Sequence, residues 1–147
     1  MKKVILLLLP ISFLVISCGG DDTLEGTYSL NRFGSDDCLD LPIELNFEDD
    51  SCDDLFGFQV CASGTFLISE DGTFVTSLSI ESIDSDEIEL FDLSGMGSWT
   101  STGSTITLCD VDITDSDECV SGQINGDLIT FTIDEDDCNT FIELRRS

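Results

Sequence analysis

The chain contains no histidine, and its only lysines are Lys2 and Lys3. Arg32, Arg145 and Arg146 are the remaining cations against 31 acidic residues, so the 147 residues carry a formal charge of −26. Phosphate backbones are held through Lys and Arg, and this balance excludes nucleic acid as a partner. Without histidine the commonest general base is gone. No CxxC pair occurs either, which removes the usual zinc ligand sets. Proline appears twice, tryptophan and tyrosine once each. After the first twenty residues no ten-residue stretch has the 3.6-residue apolar period of a helix. The length permits a single domain.

What is present starts at the N-terminus. Lys2 and Lys3 precede an apolar run over residues 4–16, broken only by Pro10. About 13 residues cannot span a bilayer, which takes ~20, but they match the h-region of a secretory signal. The run ends in Val15-Ile16-Ser17-Cys18. This tetrapeptide resembles the lipobox of bacterial lipoproteins, in which the signal is cut before a cysteine whose sulfur carries diacylglycerol. The resemblance implies a signal peptide over residues 1–17, cleavage between Ser17 and Cys18, and lipidation at Cys18. Residues 18–23 then form a tether and residues 24–147 the folded domain. Several acyl chains anchor durably, since each buried CH₂ adds ~0.8 kcal/mol. Gly19-Gly20-Asp21-Asp22 resembles the leader of lipoproteins sent to the outer membrane or the cell surface. The expected location is therefore the bacterial cell envelope, with membrane contact through the N-terminal lipid. Five residues after Cys18 reach only ~17 Å, which keeps the domain close above that membrane.

Six cysteines remain once Cys18 is set aside, an even number in a chain expected outside the cytosol. Disulfides are the expected state there. Six cysteines allow 15 connectivities; the one expected is Cys52–Cys61, Cys109–Cys119 and Cys38–Cys138, because the first two pairs each bracket a short polar or turn-like segment.

From Leu24 onward apolar residues alternate with polar ones. Leu41, Ile43, Leu45 and Phe47 fall on one face; Phe56, Phe58 and Val60 repeat the spacing. So do Phe66 and Ile68, then Phe74, Leu78 and Ile80, then Ile88 and Leu90. Ile106 with Leu108, then Ile129, Phe131 and Ile133, and finally Phe141 with Leu144 complete the series. Such runs read as half-buried strands. Asp71-Gly72, Thr102-Gly103 and Asn125-Gly126 stand between them as hairpin turns. The expectation is an all-β domain of eight to ten antiparallel strands, closed as a barrel or stacked as a β-sandwich.

Leu24-Glu25-Gly26-Thr27-Tyr28 opens the domain as the G-x-W motif opens the first strand of lipocalins. Asp71-Gly72-Thr73-Phe74, Gly97-Ser98-Trp99, Gly103 and Ile106-Thr107-Leu108 resemble segments of small bacterial lipocalin-like lipoproteins. The resemblance implies a small up-and-down barrel with one open mouth, holding a small apolar ligand. It also implies a barrel-closing pair: Tyr28 in the place of the lipocalin tryptophan, with Arg145 or Arg146 above the ring. A cation over an aromatic face contributes ~0.5–2 kcal/mol.

Acidic clusters lie at residues 110–118, at Asp49, Asp50, Asp53 and Asp54 around Cys52, and at residues 134–137 before Cys138. Calcium takes six to eight oxygens. None of the clusters has the glycine and terminal glutamate spacing of an EF-hand loop, so solvated acidic loops are expected, with no metal and no cofactor. With 31 acids, carboxylate pairs arise by chance, and no catalytic constellation stands out. Two functions follow: a lipid-anchored barrel for an apolar ligand, or a surface structural or protein-interaction module. The second would present its acidic loops to an envelope protein.

Overall fold

A computed structural model of the chain describes residues 23–36, 42–49, 51–83, 89–110, 119–135 and 138–147. These form ten strands: β1 (Gly26–Asp36), β2 (Ile43–Asn46), β3 (Cys52–Leu55), β4 (Phe58–Ile68) and β5 (Thr73–Ser82). After them come β6 (Glu89–Thr102), β7 (Thr105–Asp110), β8 (Cys119–Asn125), β9 (Leu128–Glu135) and β10 (Cys138–Arg146). No helix occurs among the described residues.

The strands make one antiparallel sheet that curls until it closes on itself. Its order is β2-β1-β10-β9-β8-β7-β6-β5-β4-β3, and residues 26–28 of β1 also pair with residues 66–68 of β4. Eight strands, β1 and β4 to β10, therefore ring a barrel, which excludes the sandwich. Beyond that closure β1 and β4 diverge. The gap is flanked by β2 on β1 and β3 on β4, with Phe47 donating its amide to the Asn31 carbonyl at 2.8 Å. The barrel thus has a narrow end, where Gly26 meets Ile68, and a wider end at Asp36. At the narrow end the chain enters at Thr23 and turns tightly after β4, β6 and β8. The described strand ends that border residues 37–41, 84–88, 111–118 and 136–137 are all at the wide end.

The interior follows from the alternation. Ile43, Leu45, Phe47, Val60, Phe66, Ile68, Leu78, Ile80, Ile106 and Ile129 are buried, and hydroxyls cover the outside. Ser63 and Ser79 bond across β4 and β5 at 2.8 Å, and Thr107 and Ser121 across β7 and β8 at 3.1 Å. A polar exterior around an apolar interior is the reverse of a membrane-spanning barrel.

Three details depart from the sequence expectation. Phe56 does not share a strand with Phe58 and Val60: Phe56-Gly57 is a two-residue hairpin loop between β3 and β4, and Phe58 opens β4. The turns expected at Thr102-Gly103 and Asn125-Gly126 fall one residue later, because Gly103 and Gly126 take the first loop position with φ of 62° and 61°, as type II′ hairpins require. Phe141 and Leu144, three apart, cannot share a face of a strand. Ile142 is the buried neighbour of Leu144, whereas Phe141 lies outside, with the Arg32 guanidinium 5.5 Å from its ring centre.

Among the described residues two disulfides staple this sheet. Cys52–Cys61 joins β3 to β4 and Cys109–Cys119 joins β7 to β8. In each the cysteines face each other directly, with Cα atoms 4.0 and 4.3 Å apart, close to the ~4.5 Å of a non-hydrogen-bonded cross-strand pair. The expected Cys38–Cys138 bridge lies outside the described residues. Pairing of β1 with β10 extends up to Asp36 opposite Asn139, next to that segment.

Candidate functional site

The barrel is solid on one side and hollow on the other. Phe33, Leu45, Leu78 and Ile80 fill the side formed by β1, β2 and β5. Phe33 of β1 reaches across to Phe91 of β6, ring centres 5.1 Å apart. On the β6–β9 side there is a cavity of about 230 Å³. Phe66, Phe74, Phe131 and Leu144 line its lower part, and Thr76, Leu108, Ile142, Leu93, Val120 and Ile133 the rest. The aromatic floor is ordered: Phe66 stacks on Phe74 at 5.5 Å and meets Tyr28 edge-on at 6.5 Å.

Two glycines in the strands allow this floor. A Cβ on Gly97 would stand 2.7 Å from Phe74 Cε1, and one on Gly122 would stand 2.6 Å from Phe131 Cε1. The rings therefore lie over bare backbone, the close approach that glycine within a strand often marks.

The cavity opens where the wall thins. β8 pairs with β9 only over residues 122–125, so Val120 and Ile133 border an unpaired stretch. Leu93, an inward residue opposite Leu78 that also lines the cavity, keeps 37% of its surface exposed. Thr76, the only hydroxyl among the described residues of the lining, already donates to the Leu93 carbonyl at 3.1 Å. Among the described residues no charged side chain lines the space. An ionised ligand would enter it unpaired at a large desolvation cost, so an uncharged apolar one fits.

The narrow end is fastened by Tyr28. Its ring is 1% exposed, and its hydroxyl donates to the Leu24 carbonyl at 2.9 Å. Arg146 stands over the ring with its guanidinium carbon 5.5 Å from the centroid, and donates to the Tyr28 oxygen at 3.0 Å and to the Thr23 carbonyl. Arg145 points elsewhere, donating to Glu48 at 2.6 Å. That bond holds the Arg145 pKa above its ordinary value, with the negative charges of Glu48, Glu143 and Asp49 acting in the same direction. Of the two arginines, then, Arg146 is the one stacked on Tyr28. Trp99 also lies at this end, its indole N–H donating to the Ser69 carbonyl at 2.9 Å.

The Asp71 carboxylate caps the β4–β5 turn. It accepts from the Thr73 hydroxyl at 2.5 Å and from the Thr73 amide at 3.1 Å, and these bonds hold its pKa below the ordinary carboxylate value. The charged form is favoured in the fold, so this contribution is present above the ordinary pKa and lost as pH falls through the lowered one.

Among the described residues no three acids or cysteines gather as metal ligands. Asp53 accepts from the Asn46 and Asp54 amides, and Asp54 from the Gly57 amide, so both serve local backbone groups. Asp50 and the core of the 110–118 and 134–137 clusters lie outside the described residues, as do Ser17 and Cys18. No helix among the described residues is long and apolar enough to cross a membrane.

Leu93, Val120, Ile142 and Thr76 were not among the residues expected to face the core. For Leu93 the signal is there in β6, where Phe91, Leu93, Gly97 and Trp99 fall on every second position. No protein-family model matches the chain, nor does any curated protein or solved structure.

Proposed function

We propose that this chain is a lipid-anchored lipoprotein of the bacterial cell envelope whose lipocalin-like barrel holds a small, uncharged, apolar ligand. The observation that carries the reading is the apolar cavity of about 230 Å³. A dry apolar space of ~150 Å³ already takes benzene, and drug-sized sites begin near ~300 Å³. The occupant is accordingly a monocyclic aromatic or a short branched hydrocarbon unit, with at most one donor for the free lone pair of Thr76.

Anchoring fits the same geometry. Arg146 and Tyr28 hold Thr23 and Leu24 at the narrow end, so a lipid on Cys18 sets that end toward the membrane. The wide end then points away from it. Native protein from its source is expected to start at Cys18 and to carry the added mass of diacylglycerol and an N-acyl chain. A Cys18→Ser chain leaves the membrane fraction. An intact residue 1–17 segment on the native protein overturns the anchor.

For the cavity, the neutral dye N-phenyl-1-naphthylamine is the probe. It should bind saturably and quench Trp99, which faces the lining residue Leu108 across β6 and β7. Val120→Phe, placing a ring into the cavity from its half-buried rim, should weaken the dye at least tenfold while the melting temperature holds or rises. No saturable binding by the wild type, or equal binding by Val120→Phe, removes the ligand reading.

A further inference from the structure

The β3–β4 hairpin carries an unusual tip. Both loop residues have positive φ, Phe56 at 55° and Gly57 at 88°. That is the two-residue type I′ loop, for which Asn-Gly and Asp-Gly are the favoured sequences. Phe56 is the only non-glycine residue with positive φ among those described, and a bulky side chain there is a strained choice. The ring gains nothing in return from the fold, for it is 66% exposed. Phe58, closing the loop opposite Leu55, is 48% exposed. Ile83, whose amide donates to the carbonyl of Gln59 next to Phe58 at 3.1 Å, is 60% exposed. Local strain kept where no local contact repays it points to a demand outside the fold.

We infer that the Phe56-Gly57-Phe58 tip is a docking surface for a protein partner that presents apolar side chains among lysines and arginines. Aromatic anchors are the usual centres of protein interfaces, and charge around them sets orientation and encounter rate. The charge here is of one sign. Asp53 and Asp54 precede the tip in β3, and Glu81 stands on the neighbouring β5 opposite Cys61. Beyond Lys2 and Lys3 the chain's cations are three arginines on β1 and β10, engaged with Glu44, Glu48 and Tyr28. A basic surface is the complement, and an anionic lipid surface is opposed by the same carboxylates. Position agrees: ten residues of β4 separate Phe58 from Ile68, which pairs with Gly26, about 33 Å along the strand from the end where the chain enters. The inference does not depend on the cavity holding a ligand.

The test uses a designed Leu/Lys amphipathic helical peptide, its Leu/Glu counterpart, and neutral phosphatidylcholine vesicles. Fluorescence anisotropy should show the Leu/Lys peptide binding the protein, more weakly as salt rises, with no binding of Leu/Glu. Phe56→Asn relieves the loop and should raise the melting temperature by a few degrees, while Phe56→Asn with Phe58→Thr lowers peptide affinity at least tenfold. Met96→Ser, removing an exposed apolar side chain on the β6 wall, should leave affinity unchanged. Dye binding in the barrel should be intact in all three variants, so failure here is separable from failure of the cavity. Equal affinity of the double variant and wild type would reduce the attraction to bulk charge and overturn the inference. So would absent Leu/Lys binding, or Phe56-dependent binding to the vesicles, which would make the tip a lipid contact.

Discussion

Replacing the four cysteines of the two described bridges, Cys52→Ser with Cys61→Ser and Cys109→Ser with Cys119→Ser, is expected to remove about 5 kcal/mol of stability. Each bridge closes a short loop, with sequence separations of 9 and 10. Chain-entropy accounting assigns ~2.7 kcal/mol to such a loop. The two staple β3 to β4 and β7 to β8, which share no pairing, so their effects should add. A domain of this size is stable by only ~5–15 kcal/mol. This one is also strained by repulsion among its acids at a net charge of −26. The quadruple variant should sit near its midpoint at room temperature in low salt, and regain structure as salt screens the acids. Urea titration followed by circular dichroism measures it. A loss under ~1 kcal/mol would mean that the sheet does not depend on these two bridges.

How much of this architecture can be read from residues varies along the chain, for physical reasons. Ile43, Leu45 and Phe47, or Leu78 and Ile80, are buried as their period predicts, because one face of a strand must go inward whatever the sheet's curvature. The hairpin at Phe56 escapes the same logic, since Phe56, Phe58 and Val60 satisfy period two across a turn. A better signal lay in the cysteines. A direct cross-strand bridge places its hairpin's centre midway between its partners, and for Cys52 and Cys61 that point falls between Phe56 and Gly57. Barrel closure is a long-range fact, set by β1 meeting β4 some forty residues on, and alternation carries no information about it. The cavity is less legible still. Inward residues have the same pattern whether they meet in the middle or stand apart, and the hollow here depends on rings lying over Gly97 and Gly122. Phe141 shows the converse: an aromatic in a strand reads as core, yet its ring covers Gly34 from outside and meets Arg32.

The second large effect is expected at Gly64, and its comparison with Gly57 separates two causes of glycine's necessity. Both have nearly the same backbone, φ 87° and 88°. Around Gly57 nothing lies within 4 Å of an added Cβ, whereas at Gly64 that atom would stand 1.5 Å from the Ser77 carbonyl oxygen and 2.6 Å from its carbon. Gly57→Ala therefore meets only the conformational term, ~1–3 kcal/mol for a residue held at positive φ. Gly64→Ala meets that term and a collision with backbone, which cannot rotate away as a side chain would. Relief requires β4 and β5 to part at the Gly64–Leu78 pair. β4 carries the residues that close the barrel on β1, and β5 carries Phe74 and Thr76 of the cavity. The cost should exceed ~4 kcal/mol, in the range reserved for severe defects, and dye binding should fail along with it. Melting curves of the two alanine variants decide the matter. Equal losses at the two sites would mean that the strands separate freely at Gly64, and the barrel's closure would then not rest on that close approach.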